Sequence, residues 1–339
     1  MNITEKCTDE YDNGHGSVVA NIVGGLTNGV ASKANIYGFT TQSSSYDSGK
    51  SFARSLLQGL EHINSRYLNE NNPENVKNFI HKSVINMSCG YYLSEKNDDF
   101  YDKEDFTDYF GQLIKKMSNK GTVFVAAAGN NSTIADNDAF PCSFDDVICV
   151  GATDNIGIND EYNALNEIYK HENDTSVYPN HDEWNEIYEQ AKTNYSTIFD
   201  KFFKNKFVLS KSYRRAYFSN YGKKVDIYAP GFVKAFYKNG IDEMWEGNWY
   251  GTSFSSPIVA GVAATIMSEN PNKNYTTREI KMELQRIGLK NIIEDVGEDL
   301  PNIFINNGKH LRYNFDNGDE SELDIEDLEC FSHGCCLRN

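Results

Sequence analysis

The chain has 339 residues, 39% hydrophobic and 24% charged, with a formal net charge of -17 and a mean hydropathy of -0.59. That length buries a sizeable core without staples or metals, and no apolar run approaches the roughly 18 residues that span a bilayer. The acidic balance excludes a nucleic-acid surface, which needs Lys and Arg clustered on one face.

In chain order, the first element is a helix headed by His15 in "GHGS", with Val18, Val19, Ile22 and Val23 on its core face and Gly24 and Gly25 ending it. "ANIYGF" (34–39) reads as a strand, and Phe52, Leu56, Leu60 and Ile63 repeat at helical spacing after it. "SVINMS" is a second strand, a helix covers about 106–117, and "TVFVAAA", "VICVGA" and "VDIYA" are further strands. The last clear helix follows Pro257, with Ser253 just ahead of it. Short β-branched runs alternating with helices predict an α/β fold with a mainly parallel sheet. Several strands end in small residues and Gly, where an open α/β sheet places its ligand crevice.

Residues 155–213 break this pattern with a polar, amphipathic stretch read as a surface insertion. Beyond Gly308 the tail 309–339 is acidic and carries Cys330, His333, Cys335 and Cys336. Adjacent cysteines ligate one tetrahedral ion poorly, so the tail is read as thiols or disulfides and no metal site is assigned. Cys142 and Cys149 are near enough in sequence to bridge in an oxidising compartment.

Three segments carry chemistry. Ser253 in "GTSFSSPIVAGVAA" lies at a helix N-terminus, where developing negative charge is favoured, and the segment lacks the second glycine of a G-x-S-x-G elbow. His15 stands at another helix head, so the pair reads as base and nucleophile. Asn130, after the buried strand and glycine of "VFVAAAGNN", is placed to aim its amide at an oxyanion. Each alone has a plain structural reading: an N-cap, a packed histidine, a turn.

Together these blocks, with "VINMSCG", "VICVGATD" and "FSNYGKKVDIYAPG" in order between them, resemble the subtilisin-like serine proteases over about Asp12 to Gly308. The resemblance implies a three-layer α/β/α fold and endopeptidase activity on peptide or protein substrates. It makes Ser253 the nucleophile, His15 the general base and Asn130 the oxyanion donor. Ser88, Cys89 and Gly90 become the edge on which an extended substrate pairs, and Ala127, Ala128 and Gly129 the wall of an apolar specificity pocket. It implies no required cofactor. A structural calcium follows from family habit, with loops such as "TIADNDAF" as candidate ligands, and so does a secreted or endomembrane location.

The resemblance fails at one point. The family's acid is an aspartate about thirty residues before the histidine, whereas here only Asp9 and Asp12 precede His15 and neither follows an apolar strand. Loss of that acid alone lowers turnover about 3 × 10⁴-fold in subtilisin. The expectation is that the strand bearing the acid, along with any signal and propeptide, lies upstream of Met1. The rival expectation is an impaired subtilase-like module that binds peptide.

Overall fold

The computed structural model describes residues 14–39, 48–66, 82–92, 103–135, 139–172, 174, 176–204, 213–239 and 243–308. Helices α1 (His15–Gly24) and α2 (Ser48–Arg66) precede β1 (Ser83–Met87) and β2 (Tyr91–Tyr92). Helix α3 (Lys103–Ser118) leads into β3 (Thr122–Ala127), followed by β4 (Ala139–Phe140), β5 (Ile148–Asp154), α4 (Asn159–Lys170), α5 (His181–Lys204), β6 (Tyr213–Arg215) and β7 (Ile227–Pro230). The hairpin β8 (Phe232–Asn239) and β9 (Glu243–Tyr250) feeds α6 (Thr252–Glu269) and α7 (Thr277–Ile287), and β10 (Leu289–Lys290), β11 (Ile293–Glu294) and β12 (Ile303–Phe304) follow.

One sheet runs in the order β1-β3-β5-β7-β12-β10, with β6 and β11 added beside β5. The pairs β1/β3, β3/β5, β5/β7 and β7/β12 are parallel, while β5/β6 and β10/β12 are antiparallel. Strand β3 is buried along its whole length, and because successive side chains point to opposite faces it serves two cores at once. Val123 and Val125 meet Val259, Val262 and Ile280 of α6 and α7 on one face. Phe124 and Ala126 meet Leu60, Phe110, Ile114 and Met117 of α2 and α3 on the other. Each such large side chain contributes roughly 1.5–3 kcal/mol of burial, and the outcome is helix, sheet and helix in three layers.

Four of the five strands read from the sequence are present, and "ANIYGF" is not. Residues 34–39 join no ladder, and Ile36, Tyr37 and Phe39 are 44%, 67% and 44% exposed. A strand exists by its ladder, and no described strand runs beside this segment. Among the described residues β1 pairs only with β3.

Within residues 155–213, α4 and α5 pack together, and the Trp184 indole N–H donates to the Ile168 carbonyl at 2.8 Å. The ring of Tyr162 stacks on Tyr217 at 3.6 Å, and the Tyr195 and Tyr217 hydroxyls lie 3.0 Å apart. Both contacts tie the helices to the segment leading into β7. Among the described residues no helix is long and apolar enough to cross a membrane. Asp9, Asp12 and the tail cysteines with His333 lie outside the described residues.

Candidate active site

The N-terminus of α6 is built around an atom that the sequence removes. The sequence reading starts this helix after Pro257, but it starts at Thr252 and holds Pro257 inside. Pro257 has no N–H to offer the Ser253 carbonyl one turn earlier. The Ser88 hydroxyl supplies the missing donor at 2.6 Å, itself held by Asn86 Nδ2 at 2.8 Å and facing Ser256 Oγ at 3.0 Å. That substitution lets the helix run unbroken through a proline and puts Ser253 in its first turn.

The hydroxyl of Ser253 is half-buried and donates to the Ser88 carbonyl at 3.2 Å. Its backbone N–H has no acceptor among the described residues. The Thr252 N–H goes to Asn130 Oδ1 at 2.8 Å, and the Phe254 N–H to the Gly251 carbonyl at 3.0 Å. Free N–H groups at a helix start, with the dipole behind them, favour an anion.

Asn130 meets this helix head from the end of β3. A backbone N–H can only donate, so the atom facing Thr252 N is the amide oxygen, and the Asn130 NH₂ turns away from it. The Thr252 hydroxyl donates to the same oxygen at 2.9 Å and accepts from the Gly129 N–H at 3.1 Å. Gly251 must be glycine: its φ is +137°, and a Cβ there would stand 3.2 Å from Asn130 Nδ2. Asn130 is thus held against the helix head whose next residue, Ser253, carries the unclaimed N–H.

His15 heads α1, which packs on α6 through Val18, Ile22 and Phe254. Its ring lies 5.3 Å from that of Phe254, the residue after Ser253. The structure therefore brings the heads of two helices and the end of β3 to one place, as the spacing of His15, Asn130 and Ser253 could not by itself require.

Ser88, Cys89 and Gly90 follow β1 beside Ser253. Gly90 sits so close to the Phe140 carbonyl that a Cβ would stand 2.6 Å from it. Cys89 is half-buried, and desolvation pushes its thiol up to about 12, which keeps it protonated at neutral pH. Ala127 and Ala128 are buried and Gly129 half-buried at the end of β3, where the Ala128 N–H is held by the Val150 carbonyl at 2.9 Å. Behind them Cys142 and Cys149 form a disulfide.

The subtilase family model matches residues 2–296. The chain belongs to the subtilase family. It is 28% identical over 304 residues to subtilisin-like protease 2 of Trichophyton equinum, an alignment covering 89% of this chain and 51% of that protein. It is 26% identical over 313 residues to the subtilisin-like serine protease Pen ch 18 of Penicillium rubens, covering 88% and 47%. The chain spans about half the length of these curated relatives. A cold-adapted subtilisin-like serine proteinase shares its fold with a TM-score of 0.53 at 22% identity, covering 86% of this chain and 74% of that one. A lanthipeptide protease does so with a TM-score of 0.53 at 16% identity, covering 87% and 73%.

As a subtilase the chain is a member of a serine-protease family. Family habit allows a structural calcium, yet among the described residues no three His, Cys, Asp or Glu side chains gather for a cation. Residues 136–138 of "TIADNDAF" lie outside the described residues. The Lys281 ammonium lies 2.9 Å from Asp226 Oδ2 and 3.2 Å from the Asp145 carbonyl, so these oxygens already hold a positive charge from the chain itself.

Two roles in the site escape the sequence reading, one of them belonging to Ser88, which is read there only as substrate edge. Thr252 sets the Asn130 amide, with no signal beyond a threonine at a helix start. The Ser88 hydroxyl completes α6, and here a signal did exist: a proline early in a helix orphans the carbonyl four residues before it.

Proposed function

We propose that this subtilase chain is the catalytic domain of a serine endopeptidase acting on extended peptide segments through an acyl-enzyme on Ser253. The observation that carries the proposal is the fixed Asn130 amide beside the unclaimed Ser253 N–H at the helix head that bears the hydroxyl. In this reading Ser253 Oγ attacks the substrate carbonyl carbon while His15 takes the hydroxyl proton. The oxyanion is held by Asn130 and the Ser253 N–H, and His15 returns the proton to the leaving amine as the C–N bond breaks. Water then attacks the acyl-enzyme by the same route and frees Ser253.

The substrate strand pairs along Ser88–Gly90, its carbonyl displacing the Ser253 hydroxyl from the Ser88 carbonyl, and an apolar side chain rests against Ala127–Gly129. The acid partner of His15 is assigned to a residue outside those described. The buried Cys142–Cys149 disulfide supports an oxidising compartment, secreted or endomembrane.

A fluorophosphonate probe tests the proposal. The full chain labels on the tryptic peptide containing Ser253, and Ser253→Ala does not label. Folded protein that takes up no probe yet binds peptide is the module without hydrolysis, and the endopeptidase reading falls.

A further inference from the structure

The loop that carries Asn130 is short, polar and exposed from Asn130 to Ile134, a poor platform for a donor that must be accurate to a fraction of an ångström. Thr252 fixes the Asn130 side chain; something else must fix the backbone beneath it. We propose that Asn220, in the segment between α5 and β7, is the positioning residue for the oxyanion donor, an inference that rests on the hydrolase reading above.

Asn220 is fully buried. Its Nδ2 donates to the Ala128 carbonyl at 2.8 Å, and its own N–H donates to the Gly129 carbonyl at 2.9 Å. Its Oδ1 accepts from the Asn131 N–H at 3.0 Å, the Thr133 N–H at 3.1 Å and the Thr133 hydroxyl at 3.3 Å. The backbone donors settle which end of the amide is oxygen. The side chain therefore grips the chain on both sides of Asn130, before it through an acceptor and after it through donors.

The fit is specific to an amide. Gly129 has φ +103°, and a Cβ there would stand 2.4 Å from Asn220 Nδ2, so the amide fills the space that glycine leaves open. Asp at 220 keeps the acceptors but turns a carboxylate oxygen against the Ala128 carbonyl; Leu loses every side-chain bond. The grip is anchored in turn. The Ser219 hydroxyl donates to the Asn220 carbonyl at 2.9 Å and accepts from the Ala152 N–H of β5 at 2.9 Å. The neighbouring main chain is laced to the same loop, with the Ser132 N–H on the Phe218 carbonyl at 2.8 Å and the Tyr221 N–H on the Thr133 carbonyl at 3.1 Å. The loop that carries Asn130 is thereby fastened to the central sheet through the Asn220 side chain and the main chain on either side of it.

A buried asparagine with a merely structural role lowers stability without acting through Asn130. A double-mutant cycle on the full chain separates the two roles. In the wild-type background Asn220→Asp slows fluorophosphonate labelling of Ser253 about 10- to 100-fold, within the loss expected for a misplaced or missing oxyanion donor. In the Asn130→Ala background the same substitution slows labelling less than about 3-fold, because the donor it positions is gone. Equal slowing in both backgrounds, or none in the first, overturns the inference while leaving the hydrolase reading intact. A wild type that never labels overturns both.

Should Asn220→Asp fail to fold, amide hydrogen exchange in the wild-type protein decides the geometry. The Asn131 and Thr133 amides exchange slowly although their residues are exposed, and fast exchange at both overturns the assignment.

Discussion

Replacing Ser88 by Ala removes one hydroxyl and strands the Ser253 carbonyl, because Pro257 cannot supply the helical donor. A buried acceptor left without a partner costs about 1–3 kcal/mol. Ser88 is half-buried, so water offsets part of this and the lower half of the range applies. The penalty has a built-in control: Pro257→Ala restores an N–H at the fourth residue after Ser253 and lets α6 satisfy its own carbonyl. Ser88→Ala therefore lowers the urea-unfolding free energy by about 1–2 kcal/mol in the wild-type background and by less than about 0.5 kcal/mol in Pro257→Ala. An equal loss in the two backgrounds would refute the claim that Ser88 substitutes for the proline's missing donor.

Other consequences follow from the same geometry. Lys281→Met leaves the Asp226 carboxylate without its ion-pair partner; the pair is half-buried, so the loss falls below the ~3–5 kcal/mol of a fully buried pair, read from urea midpoints at neutral pH. Burial holds the Asp226 carboxyl above the usual carboxylate range despite the opposing pull of Lys281. A raised acid stabilises the fold below its unfolded value and loses that contribution as pH rises through the folded one. The gap between Lys281→Met and wild type therefore narrows as pH falls toward the ordinary carboxylate range, and a gap that widens in acid contradicts the pairing. Cys89 is half-buried with its thiol raised to about 12 by desolvation, so at pH 8 it alkylates with iodoacetamide more slowly in native protein than in urea, as peptide mapping of the alkylated cysteine reads; equal rates would contradict the raised thiol. Replacing Cys142 and Cys149 together by Ser opens a loop of sequence separation 7 and lowers stability by about 2–3 kcal/mol.

The sheet was legible because its strands are buried on both faces. Val123–Ala127 reads as an unbroken apolar run, which is what a parallel strand between two helical layers requires. "ANIYGF" also carries β-prone Ile, Tyr and Phe, but strand formation depends on a neighbour that composition does not name, and Ile36 and Tyr37 stand exposed instead. The chemistry of His15, Asn130 and Ser253 was legible as glycine-flanked residues at helix heads and a strand end. What holds them was not. Asn220 is 90 residues from Asn130 in sequence, and nothing in "FSNYG" tells a buried clamp from an ordinary turn. The Ser88 hydroxyl likewise reaches Ser253 across 165 residues, a contact that only the adjacency of β1 and α6 creates.

The most direct test of the central claim is cleavage of an extended peptide by the full chain, with kcat and KM measured for wild type, His15→Ala, Ser253→Ala and Asn130→Ala. The account predicts that wild type cleaves and that Ser253→Ala and His15→Ala do not turn over measurably. It further predicts that Asn130→Ala loses about 10²- to 10³-fold in kcat with KM little changed, the mark of a donor engaged only in the transition state. Cleavage that survives Ser253→Ala, or an Asn130→Ala effect confined to KM, would contradict it.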